Sequence, residues 1–372
     1  MKKVLMVFGT RPEAIKMCPL VLELKMRPGI QTVVCVTGQH RQMLDQVLEI
    51  FGVVPDYDLN IMKDQQSLFD LTASVLSEIK AVLEKERPNV VLVHGDTTTA
   101  FAAALACFYL HIPVGHIEAG LRTYNLRAPF PEEFNREIVS VISRYNFAPT
   151  EPARDNLLRE GRCPESIYVT GNTIVDALRY TVKESYRHPE LDWVENSKLI
   201  FITAHRRENL GEPLHHMFRA IRRVLDEHPE CKAVYPVHMN PAVREAALTE
   251  FDGCRNIHII EPIDVLACHN LEARSYLCLT DSGGIQEECC AFGVPVLVMR
   301  ETTERTEGID IGTLKLVGTA EERIYTAFSE SLERKDLRAA MSGSRNPFGD
   351  GHACGRIADI LETGNCEPWV VK

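Results

Sequence analysis

The most constraining feature of the sequence is a pair of short apolar runs joined by a segment of small residues. The first run spans residues 89–93 and is rich in valine, and the second spans residues 113–117. Between them, residues 100–109 are rich in alanine and contain neither glycine nor proline. Strand, helix and strand in this order form the repeating unit of a parallel α/β sheet. The sequence therefore predicts a parallel α/β fold.

Carboxylates follow these apolar runs at the points where the predicted strands end. Asp96 comes after the first run, Glu118 after the second, and Glu132 lies shortly beyond, in the segment Pro131-Glu132-Glu133. Ligands of open parallel sheets bind outside the carboxyl ends of the strands. Three carboxylates converging there predict proton-transfer chemistry rather than packing.

Chain length, charge and cysteine usage limit the class of protein. A chain of 372 residues is too long for one ordinary core and predicts two domains. The formal net charge of −11 and the lack of a basic stripe argue against a nucleic-acid polymer as partner. No apolar run approaches the roughly 20 residues that span a bilayer, so we expect no membrane segment. The 12 cysteines, without a CxxC pair, indicate reduced thiols in a cytoplasmic protein.

A polar, aperiodic segment, residues 183–198, separates two series of apolar runs. Connections between domains have this character. We therefore predict an N-terminal α/β domain over residues 1–182 and a C-terminal α/β nucleotide-binding domain over residues 183–352. A final helix, within about residues 353–372, has no strand after it, and we expect it to pack back on the first domain.

Two glycine turns are candidate phosphate sites, because each leads from an apolar run into a helix. Free N–H groups at a helix N-terminus bind anions, and glycine lets the backbone approach a ligand closely. The first turn carries Arg11 and Lys16, and the second is Ser282-Gly283-Gly284. Glu288, about one turn further on, is placed to accept two ribose hydroxyls. The alternative at each turn is an ordinary βα connection, with solvated basic residues or a capping serine.

Histidines at predicted strand ends are further candidates. His205 ends the first strand of the second domain and His238 ends the next. A histidine there can contact a phosphate or transfer a proton, although a lone histidine is usually structural. The H-x-D and H-x-E patterns at residues 94–96 and 116–118 leave a metal-dependent hydrolase open, because residues two apart on a strand point the same way.

Nine motifs, spread in order over nearly the whole chain, resemble those of the bacterial non-hydrolysing UDP-N-acetylglucosamine 2-epimerases. They are FGTRPEAIKM, HGDTTT, HIEAGLRT, PFPEEFNR, TGNT, AHRREN, YPVHMNP, DSGGIQEE and RETTER. The resemblance implies two doubly wound Rossmann-like domains facing across a cleft, a glycosyltransferase-B-like fold, and a homodimer. It also implies reversible conversion of UDP-N-acetylglucosamine (UDP-GlcNAc) to UDP-N-acetylmannosamine (UDP-ManNAc), which feeds cell-surface polysaccharide synthesis, with no metal or other cofactor.

The family reaction is an anti elimination of UDP to 2-acetamidoglucal, followed by re-addition of UDP. The resemblance implies that the catalytic residues are Asp96, Glu118, Glu132 and His205. It implies that UDP is bound by Arg11, Lys16, Ser282, Gly283, Gly284, Glu288 and Arg305. It also implies a second, allosteric UDP-GlcNAc at Gln39, Gln42, Gln66, Glu132, Arg206 and His238.

The sequence departs from the family pattern at three places. Thr306 stands where proline usually follows RETTER, Cys289-Cys290 replaces Ala-Pro, and Gln65 replaces an arginine of some members. None of these changes removes a catalytic group. Two alternatives stay open. One is a hydrolysing epimerase, which shares the fold but releases ManNAc and UDP, and the other is a non-catalytic nucleotide-sugar sensor.

Overall fold

The chain forms two compact units, each built around its own parallel sheet. The computed structural model describes residues 1–38, 41–62 and 66–371, without the side chains of residues 41, 42 and 207. Unit 1 comprises residues 1–180 and 349–370, and unit 2 comprises residues 181–348 and 371.

Unit 1 contains a seven-stranded sheet with helices between its strands. The strands are β1 (Lys2–Phe8), β2 (Ile30–Val36), β3 (Tyr57–Asp58), β4 (Val90–His94), β5 (Val114–Ile117), β6 (Tyr145–Ala148) and β7 (Ile167–Val169). The helices are α1 (Arg11–Lys25), α2 (Arg41–Phe51), α3 (Leu68–Glu86), α4 (Thr98–Tyr109), α5 (Glu132–Ile142), α6 (Glu151–Arg159) and α7 (Thr173–Thr181), with a 3₁₀ turn at Pro164–Ser166. The strand order is β3-β2-β1-β4-β5-β6-β7, all parallel. The order reverses between β1 and β4, which is where such sheets bind ligands.

The sequence explains why the centre of this sheet forms. Every residue of β4 is buried, as expected for a parallel strand covered on both faces. The helix after it is started by Thr97, whose hydroxyl accepts a hydrogen bond from the backbone N–H of Ala100 at 3.0 Å. At Gly9, after β1, a Cβ atom would lie 1.8 Å from Thr37 Oγ1, so the close approach of these two strand ends requires glycine.

Unit 2 contains a six-stranded sheet of the same kind. The strands are β8 (Lys198–Thr203), β9 (Cys231–Pro236), β10 (Ile257–Ile260), β11 (Leu277–Thr280), β12 (Val296–Val298) and β13 (Leu314–Leu316). The helices are α8 (Pro189–Trp193), α9 (Glu212–Glu227), α10 (Pro241–Glu250), α11 (Val265–Ala273), α12 (Gly283–Ala291), α13 (Thr306–Ile311), α14 (Glu321–Glu333) and α15 (Lys335–Ser342), with a 3₁₀ turn at Arg207–Asn209. The order is β10-β9-β8-β11-β12-β13, so the switch point lies between β8 and β11.

The last helix, α16 (Ala353–Thr363), belongs to unit 1 although it follows unit 2 in the chain. Its first turn is capped by Asp176 of α7, whose carboxylate accepts from the N–H groups of Ala353 and Cys354 at 3.1 and 3.0 Å. Further along, Asp359 pairs with Arg27, which follows α1, at 2.7 Å. Burial raises the pKa of Asp176, and these hydrogen bonds oppose that effect.

Each sheet has a very short strand at one edge. These edge strands are β3, with 2 residues, and β13, with 3. Strands this short leave no readable periodicity. The segment 183–198, predicted as a connection, contains the short helix α8. In the described part of the chain, no helix is long and apolar enough to cross a membrane.

All 12 cysteines of the chain are free thiols. Most of them lie inside strands or helices, where water is excluded. Burial raises the pKa of Cys35, Cys107 and Cys290 to about 12, so these thiols stay protonated and behave as small apolar side chains.

Candidate active site

Glu13 organises the turn after β1. One carboxylate oxygen accepts from the N–H groups of Gly9 and Thr10 at 3.0 and 2.8 Å and from the Thr10 hydroxyl at 2.9 Å. The other oxygen accepts from the Thr97 hydroxyl at 2.7 Å, which ties the turn after β1 to the turn after β4. Burial raises the pKa of Glu13, and these hydrogen bonds oppose that effect. The N–H groups of Gly9 and Thr10, in the predicted phosphate turn, therefore already have an acceptor.

Lys16 lies one turn further along α1 and pairs with Glu118. Its ammonium contacts Oε2 of Glu118, and both side chains are only 9% exposed. The amide of Asn172 donates to the same oxygen at 2.8 Å. Glu118 also adopts a positive φ of 63°, a conformation that is unfavourable for a residue with a side chain and is typical of functional sites. Backbone and side chain of Glu118 are therefore both fixed.

Two buried histidines lie beside this carboxylate. His94 Nε2 is 3.9 Å from Glu118 Oε2, and burial lowers the pKa of His94 to about 4, so its ring is neutral at neutral pH. Burial lowers the pKa of His116 to about 3. The His116 ring donates from Nε2 to the carbonyl of Gly95 at 2.7 Å, and its Nδ1 lies 3.2 Å from Ser140 Oγ. Both nitrogens of His116 are thus engaged by the protein, which argues against the metal-dependent alternative.

Asp96 is held by the first turn of α5. Arg136 Nη2 lies 2.6 Å from Asp96 Oδ2, and the Asn135 amide donates to the Asp96 carbonyl at 2.9 Å. Glu132 is the first residue of the same helix and is half-buried. In the part of the chain that the structure describes, its carboxylate makes no hydrogen bond or ion pair. One helical turn thus carries Glu132 together with both partners of Asp96.

The residues after β4 approach the Glu118 side chain after β5. A Cβ atom at Gly95, the residue before Asp96, would lie 3.7 Å from Glu118 Oε1. Unit 1 therefore brings Asp96 and Glu118 to adjacent strand ends, with Glu132 on the helix that contacts Asp96. These are the three carboxylates predicted from the sequence.

Glu133 has a structural role that the sequence did not indicate. Its side chain is fully buried and accepts hydrogen bonds from the backbone N–H groups of Thr123 and Tyr124 at 2.8 and 2.7 Å. Arg136 Nε lies 3.6 Å from its other oxygen. Because Glu133 holds the loop after β5 and shares Arg136 with Asp96, it helps to fix the position of Glu132 beside it.

In unit 2, Asp281 connects the ends of β11 and β8. This residue is fully buried. Its Oδ2 accepts from the backbone N–H groups of His205 and Arg206, both at 2.9 Å, and from the Asn209 amide at 3.1 Å. The residues after β8 are therefore fastened to the residue that precedes Ser282.

The ring of His205 stacks on that of His238, with centroids 5.3 Å apart and planes at 11°. His205 Nδ1 lies 3.6 Å from Asp281 Oδ1. Burial lowers the pKa of His205, as does the His238 ring, while the Asp281 carboxylate opposes the shift. The predicted site residue His205 is therefore a neutral imidazole at neutral pH, able to donate or accept one hydrogen bond.

The start of α12 has no side-chain cap. Ser282 occupies the N-cap position, but its hydroxyl makes no capping hydrogen bond, so the capping-serine alternative does not hold. Arg305 lies over the next residue, because a Cβ atom at Gly283 would be 3.2 Å from the guanidinium carbon. The Arg305 Nε donates to Glu287 Oε1 at 2.8 Å. Helix N–H groups and a guanidinium together suit a diphosphate.

The RETTER loop that carries Arg305 is held by charge pairs. Arg300 donates to both oxygens of Glu304, at 3.0 and 3.5 Å. Although burial acts in the opposite direction, Arg305 and Arg300 lower the pKa of Glu304 to about 2. Thr306 is the first residue of α13, a position where proline is also favoured, so threonine there keeps the helix start.

Glu288 shares a buried cluster with His269 and Glu272. One donor atom of each lies within 4.8 Å of the others, the only such triad found among the described residues. The side chains are already bonded within the protein. His269 Nδ1 is 2.7 Å from Thr181 Oγ1, and Cys268 Sγ donates to Glu272 Oε1 at 3.0 Å. These contacts are those of a hydrogen-bonded network rather than of a metal site.

The predicted effector positions are described only in part. Gln39, the side chain of Gln42 and the variant position Gln65 lie outside the described residues. Both amide atoms of Gln66 are buried and lack a hydrogen bond to the described part of the chain. Arg206 Nε donates to the Asp281 carbonyl at 3.3 Å. Gln66 and Glu132 belong to unit 1, and Arg206 and His238 to unit 2.

Comparison with known proteins decides the family. A family model described as UDP-N-acetylglucosamine 2-epimerase matches residues 22–362. The chain belongs to the UDP-N-acetylglucosamine 2-epimerase family. The UDP-N-acetylglucosamine 2-epimerase of Bacillus subtilis strain 168 is 55% identical over 359 residues, which cover 96% of this chain and 94% of the relative. The family that the nine motifs predicted is confirmed.

Solved structures of this epimerase family have the same fold. The Neisseria meningitidis UDP-GlcNAc 2-epimerase bound to UDP-GlcNAc matches with a TM-score of 0.91 and 47% identity, over 96% of this chain and 99% of that one. The Methanocaldococcus jannaschii enzyme in complex with UDP-GlcNAc and UDP matches with a TM-score of 0.83 and 35% identity, over the same shares, 96% and 99%. The predicted fold class, two doubly wound α/β domains of the glycosyltransferase-B-like type, is confirmed.

Proposed function

We propose that this chain interconverts UDP-GlcNAc and UDP-ManNAc by inverting the configuration at C2. The observation that carries the proposal is that Asp96 and Glu118 follow the adjacent strands β4 and β5 of unit 1, and that Glu132 lies on α5, the helix that contacts Asp96. Inversion at C2 needs a proton acceptor on one face of the sugar and a proton donor on the other. Membership of the epimerase family supports the same reaction.

The proposed first half of the reaction is an anti elimination. One carboxylate removes the proton at C2, and the C2–H electron pair forms the C1=C2 double bond. The bond from C1 to the diphosphate oxygen breaks, and its electron pair leaves with UDP. The C2 proton is not next to a carbonyl, so its removal depends on the oxocarbenium-like charge that develops as UDP departs. A second carboxylate beside the ring stabilises that charge.

In the proposed second half, a proton is added to the other face of C2 and UDP returns to C1. A protonated carboxyl delivers a proton to C2 of 2-acetamidoglucal, and a diphosphate oxygen of UDP attacks C1. Asp96, Glu118 and Glu132 share the acid, base and charge-stabilising roles. Arg136 at 2.6 Å favours the ionised form of Asp96. Glu132, with an uncommitted carboxylate in the described part of the chain, suits a group that gains and loses a proton.

UDP is proposed to bind at the start of α12. Arg305 and the N–H groups of Gly283 and Gly284 stabilise the negative charge of the departing diphosphate, with the Ser282 hydroxyl beside them. Glu288 accepts the two ribose hydroxyls. His205 is proposed to donate a hydrogen bond to a phosphate oxygen, which its neutral ring permits.

Arg11 and Lys16 of unit 1 remain in the proposed UDP site. Lys16 also pairs with Glu118 within unit 1.

Two broader properties belong to the same proposal. A homodimer in the cytoplasm is implied by the family resemblance. The 12 free thiols suit a reducing compartment. Phe108 and Tyr109 at the end of α4 are 57% and 63% exposed, which suits an interface. Light scattering coupled to size-exclusion chromatography that gives the mass of a monomer at all concentrations would reject the dimer.

The test of the reaction is solvent exchange. With UDP-GlcNAc in D₂O, both UDP-sugars recovered should carry deuterium at C2 by NMR, because the proton passes through enzyme carboxyl groups that exchange with solvent. Unlabelled UDP-ManNAc would reject the elimination. Accumulation of free ManNAc and UDP would favour the hydrolysing reaction, and UDP-GlcNAc recovered unchanged despite binding would favour a sensor.

A further inference from the structure

Glu272 is a buried carboxyl with no counter-charge. It lies on α11, beside α12, and is fully buried. In the described part of the chain no lysine or arginine pairs with Glu272, and its Oε2 atom has no hydrogen-bond partner. An isolated carboxylate in such a place is expensive, because it loses its hydration and gains nothing in return.

The groups around Glu272 that the structure describes are thiols, a second carboxyl and the imidazole of His269, with no lysine or arginine among them. Cys268, on the same helix, donates to Oε1 at 3.0 Å. From β11 and α12 the nearby titratable groups are the thiols of Cys278 and Cys289 and the carboxyl of Glu288. His269 Nε2 lies 3.7 Å from Glu288 Oε1. The carboxylate of Glu288 therefore adds repulsion to the burial of Glu272.

We propose that Glu272 carries a proton and donates it in a hydrogen bond to Glu288, which holds the Glu288 carboxylate in place for the ribose hydroxyls. The inference rests on the proposed function, because it concerns the ribose ligand of that site. One proton resolves both difficulties of the pair. It supplies Glu272 Oε2 with a hydrogen, and it removes one of two adjacent buried charges.

In this arrangement Glu272 is a positioning residue. His269 is held at Nδ1 by Thr181, and its Nε2 faces Glu288 from the side of α11. Glu288, 8% exposed, is then bounded by the imidazole and by the protonated carboxyl. Burial, and then the Glu288 charge, raise the pKa of Glu272 well above its ordinary value, in agreement with a proton retained at neutral pH.

The first experiment detects the proton directly. The infrared difference spectrum between the wild-type chain and Glu272→Gln at pH 7 should contain the carbonyl band of one neutral carboxylic acid, lost in the variant. Glu250→Gln, a surface-side carboxyl that bonds to His215, serves as the matched control and should leave that band unchanged. The proposal is rejected if the wild-type and Glu272→Gln spectra differ only by a carboxylate band.

The second experiment measures the dissociation constant of UDP at pH values from 6 to 9. Gln can donate the same hydrogen bond without ionising, so Glu272→Gln should stay within about threefold of wild type, whereas Glu272→Ala should bind roughly 10-fold more weakly. Wild-type affinity should fall as the pH rises through the pKa of Glu272, because a second charge then repels Glu288. The Gln variant should lack that fall. Equal losses in Gln and Ala would contradict positioning by a hydrogen bond.

A cation is the competing explanation for the same cluster. Titration of the dialysed wild-type chain with Zn²⁺ or Mn²⁺ should show no tight site that disappears in Glu272→Gln, and such a site would overturn the proposal. The experiments also distinguish a failure of the proposed function from a failure of the proposal about Glu272. A wild-type chain that does not bind UDP refutes the proposed function, whereas the infrared band reports on the proton whether or not UDP binds.

Discussion

Lys16 and Glu118 form a buried ion pair between residues 102 positions apart in the chain. Removing one partner leaves the other charge without compensation, so Lys16→Met should lower the free energy of unfolding by about 3–5 kcal/mol. Adding Glu118→Gln to this variant should recover part of the loss. Lys3→Met, at the more exposed pair with Glu86, is the control and should cost no more than about 1 kcal/mol. Urea denaturation measures these three variants against the wild type, and equal losses at both lysines would contradict the role of burial.

The three carboxylates should each matter for rate, and Glu118→Gln should also lower the free energy of unfolding because it removes the charge that pairs with Lys16. Asp96→Asn, Glu118→Gln and Glu132→Gln should each lower kcat by about 100-fold or more, the usual scale for acid and base groups. Glu137→Gln, on the same helix as Glu132, is the control and should keep its kcat. Circular dichroism checks that each variant is folded. A folded variant that turns over at the wild-type rate would remove that residue from the catalytic set.

Arg305 should determine the affinity for UDP. Loss of a charge-assisted contact to the diphosphate predicts that Arg305→Ala raises the dissociation constant of UDP by about 10-fold to 100-fold. Gly283→Ala should weaken binding as well, because its Cβ would lie 3.2 Å from the guanidinium carbon. The control is Arg323→Ala, a side chain 59% exposed on α14. Isothermal titration with UDP measures the constants, and unchanged binding in Arg305→Ala would place the diphosphate elsewhere.

Substrate activation tests the proposed effector site. With UDP-ManNAc alone, the reaction should begin with a lag that trace UDP-GlcNAc abolishes. The buried amide of Gln66 has no hydrogen-bond partner in the described ranges, so it suits a ligand contact. Gln66→Ala should therefore need more UDP-GlcNAc to remove the lag, by roughly 10-fold for one lost hydrogen bond. The exposed Gln46 of α2 provides the control.

A progress curve without a lag, unaffected by added UDP-GlcNAc, would mean that the chain has no working effector site. A lag that responds to UDP-GlcNAc equally in Gln66→Ala and wild type would keep the site but exclude Gln66 from it.

Acid should destabilise unit 1 through its buried histidines. The pKa values of His94 and His116 are lowered to about 4 and about 3 in the folded chain. Unfolding restores an ordinary pKa near 6.5, so between about pH 6.5 and 4 the unfolded chain binds more protons and stability falls as the pH falls. Each histidine contributes about 1.4 kcal/mol per pH unit in that window.

The measurement is the free energy of unfolding as a function of pH. His116→Gln should reduce the slope by about 1.4 kcal/mol per pH unit. His216→Gln, on the exposed side of α9, should not change the slope. An unchanged slope in His116→Gln would mean that the ring is not neutral and buried in the native state.

The positions of the site residues along the strands could be predicted from the sequence, whereas their partners could not. Asp96 and Glu118 follow apolar runs, and the carboxyl ends of parallel strands meet at one edge of a sheet. The local pattern therefore predicted that these two residues lie near each other. The pairing of Lys16 with Glu118 and the reach of Asp281 to the residues after β8 depend on contacts between distant parts of the chain. No local period encodes such contacts.

Glu13 is an intermediate case. The Thr10-x-x-Glu13 spacing at the start of α1 is that of a capping box, a recognisable local signal. The hydrogen bond from Thr97 to Glu13, which joins two separate turns, could be recognised only from the structure. Glu272 left no signal at all, because a single acidic residue in a helix is usually solvated, and only the packing of α11 against α12 makes it unusual.

The membership of α16 in unit 1 has a consequence for synthesis. A ribosome releases β1 to α7 first, then the whole of unit 2, and only afterwards the helix that Asp176 caps and that pairs with Arg27. During that interval the Asp176 carboxylate and the surface of α1 lack their partner. Unit 1 is therefore started first and completed last, and a chain stalled within unit 2 would expose to chaperones a nascent domain that lacks one of its own helices.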